Sequence, residues 1–186
     1  LDSLFFEGDK ENSVGTSSVS TLINKTSKLE GLASNKLSYT FSEANGEAIY
    51  VADDVAAIQG NSQSTLGMYV FANYSFNTLY AKWAVEGDIK YTKICDLDYA
   101  GWLYQEADMS VLPEGVDYQF MGFKLVRGTS FLSEKGEVSI DALRVQFEPS
   151  TPNNVDNVVT EQQKNIKTIE NGYLYIRFLT EKEGVL

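Results

Sequence analysis

Acidic residues supply the first groups in this chain whose spacing suggests chemistry. Asp53-Asp54, Glu86, Asp88, Asp96 and Asp98 are raw material for hydrolysis between paired carboxylates, which must face one another across a scissile bond. They sit mainly in turn-like contexts, where solvation is the usual explanation of the charge. The chain contains no His, which removes His-based triads, most zinc sites and most pH switches near neutrality. Its serines therefore lack a His base. Neither a GxSxG elbow nor a Gly-rich phosphate cradle occurs. Asp141 stands apart. In SIDAL it interrupts an apolar alternation, on the parity of Leu143, Val145 and Phe147, and a carboxylate on a core-facing row needs a partner. Tyr80 and Lys82 also stand out, because they share one face of a strand whose other face is apolar.

Short strands must position these groups. KLSYTFS alternates Leu37, Tyr39 and Phe41 against Lys36, Ser38 and Thr40, a period of two. In SFNTLYAKWAVEGD, Leu79, Ala81, Trp83 and Val85 share one face, and Tyr80, Lys82 and Glu86 the other. The first face is the core face, with Trp83 in it. EGDIKY marks a tight hairpin turn, with IKYTKICDL returning. TLGMYVFANYS is apolar on both faces and reads as a central strand. LDSLFFEGD is a first strand, and EAIYVADD, GWLYQEADM, YQFMGFKLVRG and EVSIDALRVQF are further strands. Residues 10–36, rich in Ser, Thr, Lys, Asn and Gly, read as loop with short strand pieces such as SVSTLI. Many strands at short intervals make an all-β sandwich of two antiparallel sheets the economical fold.

Composition agrees. The chain has 186 residues, 43% hydrophobic and 22% charged, enough for one domain with a real core plus a small appendage. Tyr, Phe, Val, Thr and Ser are plentiful, and helical stripes are scarce. A formal net charge of −11 argues against nucleic acid, which needs a basic footprint. Cys95 is the sole cysteine, which rules out an internal disulfide and suits a small buried apolar side chain. No stretch is long and apolar enough for a transmembrane helix. Leu1 reads as a cut end of a mature or dissected piece.

Composition shifts at Glu148. Residues 149–165, with two of the three prolines and many Asn and Gln, read as a linker. Beyond it, IKTIE-NG-YLYIRF predicts a β-hairpin within 166–186, an element of marginal stability alone.

Residues 1–148 resemble the jelly-roll carbohydrate-binding module superfamily. FFEGD, KLSYTF, LGMYVFANYSFNTLYAKW, GWLYQEADM and VSIDALRV carry the resemblance, in that order. Such modules sit beside bacterial glycosidase catalytic domains, including phosphodiester glycosidases. VDNVVTEQQKNIKTIENGYLYIRF is similar to C-terminal tails of exported Bacteroidetes proteins, which are associated with secretion or surface attachment. The chain stops at EGVL, short of the full tail pattern.

The resemblance implies a non-catalytic module that holds an exported enzyme's catalytic domain near a polysaccharide, outside the cell or at its surface. It also implies a structural Ca²⁺ where the first and last strands meet, at Glu7, Asp9 and Asp141, whose hard oxygens suit that ion. Asp141 has a plainer alternative in a turn backbone or a Lys or Arg partner. For a sugar, aromatic faces meet pyranose C–H surfaces and planar polar groups meet hydroxyls. Tyr69, Tyr80, Trp102 and Tyr104 are the candidate rings, although Trp102 also suits the core. Lys82 lies beside Tyr80, and Arg127, at the loop end of FKLVRG, suits bidentate hydrogen bonding. A structural or protein-docking sandwich with buried or scattered tyrosines is the competing expectation, since a fold does not dictate function.

Overall fold

A computed structural model describes residues 5–53, 59–60, 65–113, 116, 118–146, 166–170 and 173–176. The strands are β1 (Phe6–Val14), β2 (Thr16–Asn24), β3 (Ser34–Phe41), β4 (Glu47–Ala52), β5 (Gln59–Gly60), β6 (Thr65–Asn73) and β7 (Thr78–Val85). They continue with β8 (Asp88–Asp96), β9 (Ala100–Glu106), β10 (Tyr118–Val126), β11 (Lys135–Gln146), β12 (Ile166–Glu170) and β13 (Tyr173–Ile176). Two antiparallel sheets form the sandwich. The first runs β1-β4-β10-β7-β8, with β5 also on β10; the second runs β2-β3-β11-β6-β9. Among the described residues no α-helix occurs, only short 3-10 turns at Met109–Val111 and Phe131–Ser133.

Alternation explains the layers. In β3, Leu37, Tyr39 and Phe41 are buried while Lys36, Ser38 and Thr40 are less so. In β7, Leu79, Ala81, Trp83 and Val85 enter the core, leaving Tyr80 and Lys82 on the outer face as expected. Trp83 lies edge-on to Tyr118 and Phe120, with ring centroids at 5.3 and 5.4 Å. Its indole N–H donates to the buried Thr92 hydroxyl at 2.8 Å, so the ring brings no unpaired donor inside. Cys95 is buried, as expected. β6 is indeed central, between β11 and β9.

The expected hairpin turn after Val85 is present, and two other local readings need correction. Glu86 and Gly87 both have positive φ (50° and 91°), and Val85 pairs with Asp88. The turn is thus a two-residue hairpin of the primed type centred on Glu86-Gly87. Residues 10–24 are mostly strand, because β1 and β2 are edge strands with largely exposed polar residues; half-solvated edges need few apolar side chains. In β11, the register slips between Asp141 and Arg144, and Ala142 takes φ 51°. This bulge inserts a residue and changes the parity. Leu143 therefore faces the core, while Asp141, opposite Tyr69, belongs to the outer row with Ser139 and Arg144.

Two further positive-φ residues, Tyr74 (53°) and Phe76 (56°), lie in the β6–β7 loop. Left-handed backbone at a non-glycine residue costs on the order of 1–3 kcal/mol and persists only where the surroundings over-determine it.

By compactness the chain divides into Leu1–Pro149 and Ser150–Leu186. Within the second unit, β12 and β13 pair antiparallel, Glu170 opposite Tyr173. Phe147, the 149–165 linker and the Asn171-Gly172 turn lie outside the described residues.

Candidate functional site

The outer face of the first sheet gathers aromatic and charged side chains from separate strands. β7 contributes Tyr80 and Lys82. Across its hairpin, Lys93 lies opposite Tyr80 and Tyr91 opposite Lys82. On the other flank, β10 sets Lys124 opposite Tyr80 and Gly122 opposite Lys82. β4 then sets Ile49 beside Lys124 and Glu47 beside Val126, and β1 sets Asp9 opposite Ile49 and Glu7 opposite Val51. One row across the sheet thus reads Asp9, Ile49, Lys124, Tyr80, Lys93; the next reads Glu7, Val51, Gly122, Lys82, Tyr91.

Side-chain geometry ties the rows together. The Lys124 ammonium lies 3.3 Å from the Glu47 carboxylate, 4.0 Å from the Tyr91 ring centroid and 5.5 Å from that of Tyr80. Lys93 pairs with Asp96 at 2.6 Å, and Asp96 also accepts from the Thr78 hydroxyl at 2.8 Å. Asp9 accepts from the Asn12 side-chain amide at 2.7 Å and its backbone N–H at 3.1 Å. Burial pushes the Asp9 carboxyl up, but those bonds and the Lys82 charge outweigh it and hold it below its ordinary value. That is the wrong direction for a general acid. Burial, then the Glu47 and Asp9 charges, raises the Tyr91 phenol. Tyr80 and Tyr91 are only half-buried. The arrangement brings two half-buried rings, that of Tyr91 capped by the Lys124 ammonium, together with ammonium and carboxylate groups on one sheet surface.

The other aromatic candidates lie elsewhere. Tyr69, Trp102 and Tyr104 are on the outer face of the second sheet, the opposite side of the sandwich. Tyr69 pairs with Tyr104 and Phe71 with Trp102 across β6 and β9, and the rings meet edge-to-face with centroids 5.6 and 5.4 Å apart. Trp102 is half-buried on this outer row and is not part of the core. The Tyr104 hydroxyl donates to Glu106 at 3.1 Å, and burial followed by that carboxylate pushes it up to about 12. Tyr69 is only 8% exposed. Rings packed this way offer little flat surface to a ligand.

Arg127 is on neither face. Its guanidinium donates to the Glu43 carbonyl at 2.7 Å and lies 3.9 Å from Glu134, which fastens the β3–β4 turn to the end of β10.

Nor does the structure assemble the expected calcium ligands. Glu7 and Asp9 are on the outer face of the first sheet, and Asp141 is on that of the second. Both Asp141 oxygens are taken by backbone donors: one accepts from Ala142 N–H at 2.8 Å, the other from Leu29 N–H and from Glu30 N–H at 3.0 Å. Calcium needs oxygen lone pairs directed at it, and here N–H groups occupy them. Among the described residues no cluster of three or more His, Cys, Asp or Glu side chains suits a metal. The turn-backbone alternative describes Asp141. Its carboxylate pins residues 29–30 of the β2–β3 loop, which Glu30 reinforces by an ion pair with Arg144.

Tyr91, Lys124 and Glu47 escaped the sequence reading. Tyr91 was within reach, since counting outward from Val85 and Asp88 pairs it with Lys82. Lys124 and Glu47 join the site through pairings between distant strands, for which the sequence carries no local signal.

No protein-family model and no curated protein matches the chain. Solved structures similar to it include the enzymatically active domain of bacteriophage CBA120 tailspike protein 4 (TM-score 0.41, 15% identity, 77% of this chain). This chain spans 19% of that tailspike structure. A second is the C-terminal family 22 carbohydrate binding module of Clostridium thermocellum Xyn10B (TM-score 0.42, 12% identity, 76% of this chain and 84% of that one). A third is a xylan-binding domain from CBM 22 (TM-score 0.41, 16% identity, 78% of this chain and 96% of that one).

Proposed function

We propose that this chain is a non-catalytic carbohydrate-binding module that grips a glycan on the outer face of its first sheet. One observation carries the reading. Tyr80 and Tyr91, both half-buried, lie on adjacent strands with Lys82, Lys93 and Lys124 interleaved and Glu47 at the edge. Sugars present apolar C–H faces ringed by hydroxyls. Tyrosine rings suit the faces, while ammonium and carboxylate groups suit the hydroxyls as donors and acceptors. On this reading the module serves an exported enzyme, outside the cell or at its surface, by keeping a catalytic domain close to polysaccharide. Among the described residues no helix is long and apolar enough to cross a membrane.

Binding of the purified chain to a panel of soluble and insoluble polysaccharides, xylan among them, tests the proposal. Selective retention on one glycan class is expected. Failure to bind any of them would turn attention to a sandwich that docks protein.

A further inference from the structure

At one end of the sandwich the β6–β7 loop displays Tyr74 and Phe76 to solvent, 51% and 43% exposed. Both have left-handed backbone, and that backbone is fixed from three sides. Tyr74 N–H donates to the Tyr99 carbonyl at 2.8 Å and Phe76 N–H to the Leu97 carbonyl at 3.0 Å. The Ser133 hydroxyl donates to the Ser75 carbonyl at 2.7 Å. Fully buried Asn77 donates to the Ser133 carbonyl at 3.2 Å and accepts from Gly128 N–H at 2.8 Å. Gly128 passes so close that a Cβ there would lie 1.9 Å from the Phe76 carbonyl oxygen. A folded chain ordinarily hides aromatic rings; here buried polar groups hold strained backbone that keeps two of them out.

The rings are inclined by only 31°, with centroids 6.3 Å apart. Exposed Asn73 ends β6 just before this loop, and exposed Asp98 lies in the 97–99 segment bonded to it. Area decides what the patch can take. A whole aromatic side chain buries about 150–250 Å², so two half-exposed rings offer about that much together. A stable protein interface needs about 800 Å² from each partner. Sugar rings, flat and flanked by hydroxyls, fit such a small rigid platform beside an amide and a carboxylate.

We infer that Tyr74 and Phe76 form a second glycan contact, distinct from the Tyr80–Tyr91 face, which engages a polysaccharide chain at the loop end of the sandwich. This inference rests on the carbohydrate-binding reading. The test uses the full chain carrying Tyr74→Gly and Phe76→Gly together, on the insoluble polysaccharide that retains the unaltered chain and on a short soluble oligosaccharide of the same glycan. Glycine accepts positive φ without strain, so the melting temperature should hold or rise. Retention on the insoluble glycan should fall about tenfold, the loss of roughly 1.4 kcal/mol, with affinity for the short oligosaccharide unchanged. Undiminished retention would overturn the inference and leave the first face standing, and a drop of several degrees in melting temperature would instead make the rings structural. If the unaltered chain retains no glycan at all, the carbohydrate reading fails and this inference fails with it.

Discussion

The Lys124 ammonium lies 4.0 Å from the centroid of the Tyr91 ring, and Glu47 holds it there from the other side at 3.3 Å. The three side chains come from β10, β8 and β4, so this contact joins distant parts of the sequence into one surface. A cation above a ring is attracted by its quadrupole, and the pairing orients both groups before a ligand arrives.

Replacing Lys124 with Met keeps the aliphatic bulk and removes the charge. The stability cost should be small, about 1 kcal/mol, the sum expected for a cation–π contact and a partly exposed ion pair. Glycan affinity should fall by more than that, since a hydroxyl donor and the orientation of Tyr91 go together. Denaturant unfolding beside calorimetric titration with oligosaccharide measures both. Equal affinities for the two proteins would remove Lys124 from the site.

Asp141→Ala strips the acceptor from three backbone N–H groups. Asp141 is buried while Leu29 and Glu30 are exposed, so water can replace part of what those N–H groups lose; at about 1 kcal/mol net for each bond, the melting temperature should fall by a few degrees. Because those donors occupy the carboxylate, the drop should be the same in calcium and in a chelator. A calcium-dependent rise in melting temperature that vanishes with Asp141→Ala would restore the metal reading.

Cys95 gives a pH test. Burial pushes its thiol up to about 12, against about 8.5 for a free cysteine. The raised value favours the neutral form in the fold. The thiol's contribution to stability is therefore complete below about pH 8.5 and is lost as pH rises toward 12. Native protein at pH 8 should resist thiol reagents and react on unfolding. Between pH 8.5 and 10, about the range before tyrosines titrate, it should lose stability relative to Cys95→Ala. Rapid labelling of the native protein would contradict this burial.

The legible parts of this molecule are those where alternation has one meaning. β3 and β7 each bury one face, so Leu37, Tyr39, Phe41, Leu79, Ala81 and Trp83 were readable as core, and Tyr80 with Lys82 as its outer row. Alternation misled at β11, because the bulge at Ala142 moves Asp141 to the outer side while SIDAL still reads as regular strand. It was silent for β1 and β2, whose edge positions let Ser, Thr and Lys replace apolar residues. The site divided along the same line. Tyr69, Trp102 and Tyr104 resembled Tyr80 in type, yet β6 and β9 belong to the other sheet. Which strands share a sheet is decided by long-range pairing, and no short window of residues contains it.

The most direct measurement of the central claim is retention on polysaccharide of Tyr80→Ala and Tyr91→Ala, each with its melting temperature. Both rings are half-buried on an outer face, so each truncation should leave the melting temperature within a few degrees of the parent and reduce retention tenfold or more. Full retention by both variants, with the fold intact, would contradict binding on this face.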